Sequence, residues 1–439
     1  MSRLLNWLSA NTSQDLTTNN RIALLILFFI LAYGMNVIFP LFDSHNFQDL
    51  ELELAATSNS SSNIINQIYW LGLFLLSVFA VLRNPRLFKD MVKQNLALTI
   101  LSLLVMVSVI WSDVPMITMR RSILFVFIIF STAVAITYLK TPVQMFAVLY
   151  RVAFIALFLN VISLLLGMGF DLEGYFAGVH GHKNSLGPIA VIAIYTGCTV
   201  RHLPVLIINR FVNNLYLMCW CFLLLISVSK TSIALLLICP LTVHMLFKLS
   251  QRIKMSTGSL LLMLLVVFGF LFALVLAFTG LAVQEFLGLF MADPSFTGRD
   301  VIWIFMWEQI QEKLLLGYGY GGFWGVGFNS PNIQYGEGFI TLLNQAHNGY
   351  LDLIAKLGIV GFGVYLFVLK SFSTNVAYIR AQLPVVAFST WTIILLTLLH
   401  NLTESSIARG YSLIWLLQII IFFLIARFRL EQIYMDEKS

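Results

Sequence analysis

Apolar residues run in blocks along nearly the whole chain, at 22–39, 64–82, 96–110, 123–138, 143–166, 185–200, 211–228, 232–247, 259–283, 349–369, 385–400 and 411–425. Each block is close to the ~20 residues that a membrane-spanning helix needs, whereas the strands of a transmembrane barrel would alternate apolar and polar positions over ~10 residues. The pattern therefore predicts an all-α polytopic membrane protein, a single integral domain over 1–439 with about twelve transmembrane helices. An even number of crossings puts both termini on one side.

The longest polar stretch, 284–346, lies between the ninth and tenth blocks. Inside it, apolar Val301, Ile304, Phe305, Ile310 and Leu314 interleave with Glu308, Glu312 and Lys313, which predicts an amphipathic helix along the membrane interface. Trp303, Trp307 and Trp324 suit that depth. The run Leu316-Gly317-Tyr318-Gly319-Tyr320-Gly321-Gly322-Phe323-Trp324 reads as a flexible hinge. It has no Gly-Lys-Ser/Thr ending and no strand before it, so it is not a nucleotide loop.

Composition agrees with the pattern: 59% of residues are hydrophobic, 10% are charged, and the mean hydropathy is +0.89. The formal charge of +6 does not call for a nucleic-acid partner, because most of the basic residues sit in short loops where membrane orientation is written. Their distribution favours cytoplasmic termini. The loop at 42–63 then falls on the far side, and it carries Asp43, Asp49, Glu51 and Glu53 with no Lys or Arg. Cys198, Cys219, Cys221 and Cys239 lie in or beside apolar runs, which argues against a disulfide framework.

Eight cations oppose this rule by falling on the far side: Arg120, Arg121, Lys183, Lys230, Arg299, Lys313, Lys356 and Arg409. Arg120, Arg121, Lys183, Lys230 and Arg409 stand at or beside span ends, and together with Arg299 they are candidates to line one cavity that binds an anionic substrate. For each alone, snorkelling to headgroup phosphates is the competing explanation. His347, in Gln345-Ala346-His347-Asn348-Gly349, sits where a span begins and can exchange a proton near neutral pH. Its competing role is to cap that helix, with Asp352 and Lys356 as an i,i+4 pair.

Other chemistries fit less well. The acidic residues Asp293, Asp300, Glu308, Glu312, Glu337 and Glu404 show no Asp-x-Asp pairing, and Asp171-Leu172-Glu173 is the nearest approach to a metal-binding pair. His180, His182, His347 and His400 make a zinc set without supporting spacing. No Gly-x-Ser-x-Gly elbow is present. Neither a metal nor a cofactor is expected. Cations plus one histidine suit transfer from a lipid pyrophosphate: the leaving group departs as an anion, which Arg299 and Lys230 neutralise, while His347 deprotonates a hydroxyl.

The segment His347-Asn348, with Gly358 and Gly361 beyond it, resembles the signature of the O-antigen ligase-like family. His182-Lys183-Asn184-Ser185-Leu186-Gly187, Ser229-Lys230-Thr231-Ser232, Thr297-Gly298-Arg299 with Ile302-Trp303, and Leu316-Gly317-Tyr318-Gly319 resemble blocks of its Wzy-type polymerase branch. The resemblance implies a metal-independent, inverting glycosyltransferase of the GT-C kind in the bacterial inner membrane, with its site at the periplasmic face. The donor would be an undecaprenyl-pyrophosphate-linked glycan. The acceptor would be a lipid-linked repeat unit or lipid A-core, and a chain-length regulator is a further candidate partner beside the membrane lipids. His347 corresponds to the base and Arg299 to a pyrophosphate-binding arginine. Lys230 stands where ligases have arginine, keeping the charge without the bidentate fork. The block with Lys183 and Asn184 points to the polymerase branch. Two alternatives are a ligase delivering the same donor to lipid A-core or protein, and a non-enzymatic flippase. A flippase would carry polar or helix-breaking residues near mid-span on several helices.

Overall fold

The computed structural model describes residues 14–40, 64–141, 143–171, 173–203, 208–281, 285–286, 289, 298–381 and 383–436. The acidic loop at 42–63, Asp293, Thr297, the terminal Arg3 and Lys438, and nearly all of 284–297 lie outside them. Fourteen helices of ten residues or more carry the architecture: α1 Gln14–Gly34, α2 Ile64–Arg83, α3 Pro85–Gln94, α4 Leu96–Val107, α5 Pro115–Thr137, α6 Gln144–Leu165, α7 Lys183–Val200, α8 Arg210–Ile226, α9 Lys230–Ile253, α10 Thr257–Thr279, α11 Arg299–Glu312, α12 Gly349–Ile379, α13 Pro384–His400 and α14 Leu413–Asp436. No strand occurs among the described residues; Phe170 and Phe176 form an isolated bridge.

Each of the twelve apolar blocks overlaps a helix among the described residues. Seven helices are long and apolar enough to cross a membrane on their own, and the bent pair α3–α4 makes an eighth candidate. Residues Thr18–Gly34, Arg210–Ile226 and Pro384–His400 form shorter apolar helices. The chain is thus an all-α, multi-pass membrane protein. The four cysteines are free. Helix α3 was not foreseen. It meets α4 at 88°, and Asn95 stands at the corner with its side-chain amide donating to Met91 O at 3.0 Å. Arg86, Lys89 and Lys93 are exposed on α3, whereas Met91 is buried.

The bundle is organised around α14, in which 94% of the apolar window is buried. A helix apolar all round can sit inside a bundle only if its few polar groups find partners there. Gln418 donates to Tyr365 Oη at 2.7 Å and to Thr397 Oγ1 at 3.2 Å, and Arg427 pairs with Glu431 at 3.0 Å while donating to Thr137 O at 3.2 Å. Helix α10 is the opposite case: only Thr257 and Leu260 are buried, so its apolar side chains face outward on nearly every side.

A smaller core stands at one end of the bundle, built from Ile302, Phe305, Met306 and Ile310 of α11, Tyr318, Phe323, Trp324, Ile340 and Ala346 of the following segment, and Ala355 of α12. This corrects the expected face of α11. Ile302 and Met306 join Phe305 and Ile310 inside, while Val301, Ile304, Trp307 and Leu314 stay exposed. The helix is apolar on two sides, one for the lobe and one left free. Trp324 is buried rather than at the membrane interface, and it donates to Asp352 at 2.7 Å. Asp352 also accepts from Ala346 N at 3.3 Å, so its hydrogen bonds go to the lobe, while Lys356 interacts with its charge without forming a direct ion pair.

The lobe is docked through a break in α12. Gly358 has φ 64° and ψ −170°, outside helical geometry and in a region essentially reserved for glycine. The break frees backbone groups that pair with the turn after α11: Tyr318 N donates to Ala355 O at 2.8 Å, Ile359 N to Leu314 O at 2.9 Å and Val360 N to Leu315 O at 3.3 Å. The glycine run is therefore clamped rather than free to act as a hinge. Arg121 donates to the carbonyls of Gly321, Trp324 (2.8 Å) and Gly325 (2.8 Å). Trp111 Nε1 donates to Leu316 O at 3.0 Å, and Ser108 Oγ accepts from Tyr320 N at 2.9 Å.

Gly358→Ala places its Cβ 2.0 Å from Leu315 O. The backbone region alone costs about 1–3 kcal/mol and the clash adds to it, so the melting temperature in detergent is expected to drop by several degrees. Gly363→Ala on the same helix meets nothing within 4 Å and should melt as the parent does. Equal melting of both variants would show that the break does not anchor the lobe.

Candidate functional site

At the end of the bundle where the lobe sits, α12 begins at a tightly specified junction. Asn348 caps the helix, its Oδ1 accepting from Tyr350 N at 3.0 Å and Leu351 N at 3.1 Å. The backbone N–H of Asn348 donates to Ser405 Oγ at 3.1 Å, and that of Gly349 donates to Asn401 O at 2.9 Å and Glu404 O at 3.0 Å. A side chain at Gly349 would lie 2.0 Å from Asn401 Oδ1, which is why glycine opens the helix. His347 precedes the cap with φ 49°, a left-handed conformation uncommon outside glycine. Its neighbour Ala346 is held from both sides, by Trp303 Nε1 to its carbonyl at 3.1 Å and by Asp352 at its N–H. The strained histidine is thus positioned by its surroundings rather than by its own helix.

Glu404, in the loop after α13, joins the site residues. Its Oε2 lies 3.2 Å from His347 Nδ1, and its Oε1 lies 2.9 Å from Arg299 Nη2 and accepts from Asn184 Nδ2 at 3.1 Å. Four elements meet there: the start of α7, the start of α11, the residue before the α12 cap and the loop beyond α13. A carboxylate only accepts, so it selects the imidazole tautomer protonated at Nδ1 and leaves Nε2 as the basic atom. The side chains of Arg299, His347 and Glu404 are 20%, 27% and 16% exposed, which keeps their interactions strong and the site accessible. Burial by itself raises the Glu404 carboxyl, but the hydrogen bond from His347 and the charges of His347, Arg299 and His400 outweigh it and hold the carboxyl below its ordinary value.

The remaining candidates divide into three groups. Arg409 donates to Gln345 Oε1 and to Asn344 Oδ1 at 3.5 Å, so it braces the segment that leads to His347. Lys230 is exposed at the start of α9 and joins neither Glu404 nor His347. It is nevertheless close to the α7 end, because Ser229 and Ser232 pack against Gly187. Lys183 and Arg121 have other partners: Lys183 pairs with Glu173 and lies 3.9 Å over the Tyr175 ring, and Arg121 clamps the glycine run, with exposed Arg120 beside it.

Among the described residues, no three His, Cys, Asp or Glu side chains gather as a metal-binding group. Asp171 Oδ1 accepts from Glu173 N at 3.1 Å and Tyr175 N at 2.9 Å, closing a turn. His182 caps α7 by accepting from Asn184 N. His180 is buried against Asn160 at 3.2 Å, and burial pushes it down to about 3. Glu404 was legible only as an isolated acid. The signal that would have found it is its place one turn past His400, an acidic residue on a cation-rich face that breaks the pattern of its surroundings.

Residues 215–366 match the family model Wzy_C, described as O-antigen ligase. The matched stretch includes Lys230, Arg299, His347, Gly358 and Gly361, whereas Asn184, Glu404 and Arg409 lie beyond it. No curated protein matches the chain.

Because the Glu404 carboxyl is depressed in the folded state, its ion pairs contribute fully above the ordinary carboxylate value and are lost as pH falls through the lower folded value. Glu404→Gln should therefore melt below the parent at neutral pH, and the gap should close as the pH falls below the ordinary carboxylate value of 4.5. A gap that stays constant with pH would mean the carboxylate charge does not contribute.

Proposed function

We propose that this chain, whose residues 215–366 match the O-antigen ligase family model, is a glycosyltransferase acting on lipid-linked glycans, and specifically a polymerase. In this reading it moves a growing glycan from undecaprenyl pyrophosphate onto the terminal sugar hydroxyl of the next lipid-linked repeat unit. The observation that carries the reading is Glu404 shared between Arg299 and His347: a proton acceptor and a fixed cation are held on one carboxylate, side by side. Transfer to a hydroxyl from a pyrophosphate needs those two functions in that proximity.

The acceptor oxygen attacks the anomeric carbon as the bond from that carbon to the pyrophosphate oxygen breaks. The acceptor proton passes to His347 Nε2, and the pyrophosphate leaves with the bonding electron pair. Arg299 offsets the charge that develops on it, with Lys230 on the adjacent helix start as a second cation, so chain cations do the work that a metal ion would otherwise do. Glu404 fixes the imidazole's tautomer and steadies the imidazolium that forms, as the carboxylate of a hydrolase triad does. A single displacement inverts the anomeric carbon. The cation distribution supports cytoplasmic termini, and the family likeness supports a bacterial inner membrane with this site at the periplasmic face.

A ligase that passes the same donor to lipid A-core is the second reading, favoured by the description of the matching family. The polymerase reading draws on the likeness of the block from His182 to Gly187, whose Asn184 reaches Glu404.

Purified protein supplied with undecaprenyl-pyrophosphate-linked repeat units should lengthen them. His347→Ala should reduce the rate by about 100- to 10,000-fold, the usual worth of general-base help, while the variant still folds. Lengthening that persists in the variant removes His347 from the mechanism. Adding lipid A-core and asking by mass spectrometry which acceptor gains sugar separates polymerase from ligase.

A further inference from the structure

Glu404 holds Arg299 and His347 at once, yet the reaction asks them to do different things. Arg299 spends one Nη2 bond on Glu404 Oε1. A diphosphate offers that guanidinium more negative charge than a carboxylate does and accepts its planar fork bidentately. Asn184 donates to the same Oε1 from the start of α7 and carries no charge that a phosphate could draw away. Its donor nitrogen remains when the arginine turns.

Resting on the reading above, we propose that Glu404 and Asn184 are positioning residues in an exchange: the donor diphosphate takes Arg299 from Glu404, and Asn184 then holds the carboxylate in place for His347. The carboxylate thus competes with the diphosphate for one guanidinium, and donor binding frees its full charge to face the imidazole. His400 is the remaining titratable neighbour of this carboxylate, and its Nδ1 is buried without a hydrogen-bond partner. It belongs to α13 and stands one turn before Glu404, so it does not need to move in the exchange. The arrangement links an occupied donor site to a base that is correctly held, which a rigid carboxylate–imidazole pair would not do.

The experiment measures binding of inorganic pyrophosphate to full-length protein in detergent for the parent, Glu404→Gln, Arg299→Gln and the double variant, beside glycan turnover. Glu404→Gln should bind pyrophosphate about 10-fold more tightly while turning over more slowly, and the tightening should vanish in the Arg299→Gln background. Equal tightening with and without Arg299 indicates repulsion through space and overturns the exchange; so does weaker binding in Glu404→Gln. Should either of these variants fail to fold, Asn184→Ala, which removes one hydrogen bond, decides: kcat should fall by about 10-fold with pyrophosphate affinity unchanged. An equal loss of both marks a static scaffold and overturns the proposal. The binding cycle uses no glycan, so absence of transfer by the parent would fail the polymerase reading, whereas an uncoupled cycle fails only the exchange.

Discussion

In a hydrocarbon surrounding, every backbone N–H and C=O needs a partner, because no water is present to supply one. The break at Gly358 violates the helix's own way of meeting that demand, and the turn after α11 meets it instead through Tyr318 N, Leu314 O and Leu315 O. That substitution is what fixes the lobe on the bundle. Once the lobe is docked, the start of α11 is placed against the ends of α7 and α13, and Arg299 reaches Glu404. A side chain at residue 358 would separate the two parts, so one residue without a Cβ governs the distance between a cation in the lobe and an imidazole at the bundle's edge.

The site also shows how a few unlike charges organise many elements. Cations that stand against the membrane-orientation pattern do not all converge on one cavity. Arg121 serves the glycine run, Lys183 pairs with Glu173, and Lys313 pairs with Asp113. Each is used to hold a loop at the end of the bundle. Arg299 alone of them pairs with the carboxylate beside His347, and Arg409 reaches the same region by bracing Gln345. Loops at a membrane surface have few apolar contacts to hold them, so charged and amide side chains bonded to carbonyls do that work, and His347 stands on the frame they make.

Much of this was readable along the chain. The apolar blocks located the helices because a span needs a length that no other feature of the sequence imitates, and His347 and Arg299 stood out as a proton-exchanging group at the start of a span and a cation opposing the orientation pattern. What could not be read was pairing across distance. Glu404 lies 57 residues after His347 and 105 after Arg299, and nothing local marks its two oxygens for those partners. The same limit hid the buried face of α11, where Ile302 and Met306 face inward in place of Val301 and Ile304, since a helix apolar on two sides carries no periodic signal for which side will be covered. Thus the sequence by itself determined a helical membrane protein with an unusual histidine and a misplaced set of cations, because helix length and charge cost are local quantities. Only the tertiary structure decided which cation meets that histidine, through which carboxylate, and that the glycine run is a clamp, because those outcomes depend on where separate helix ends are brought together.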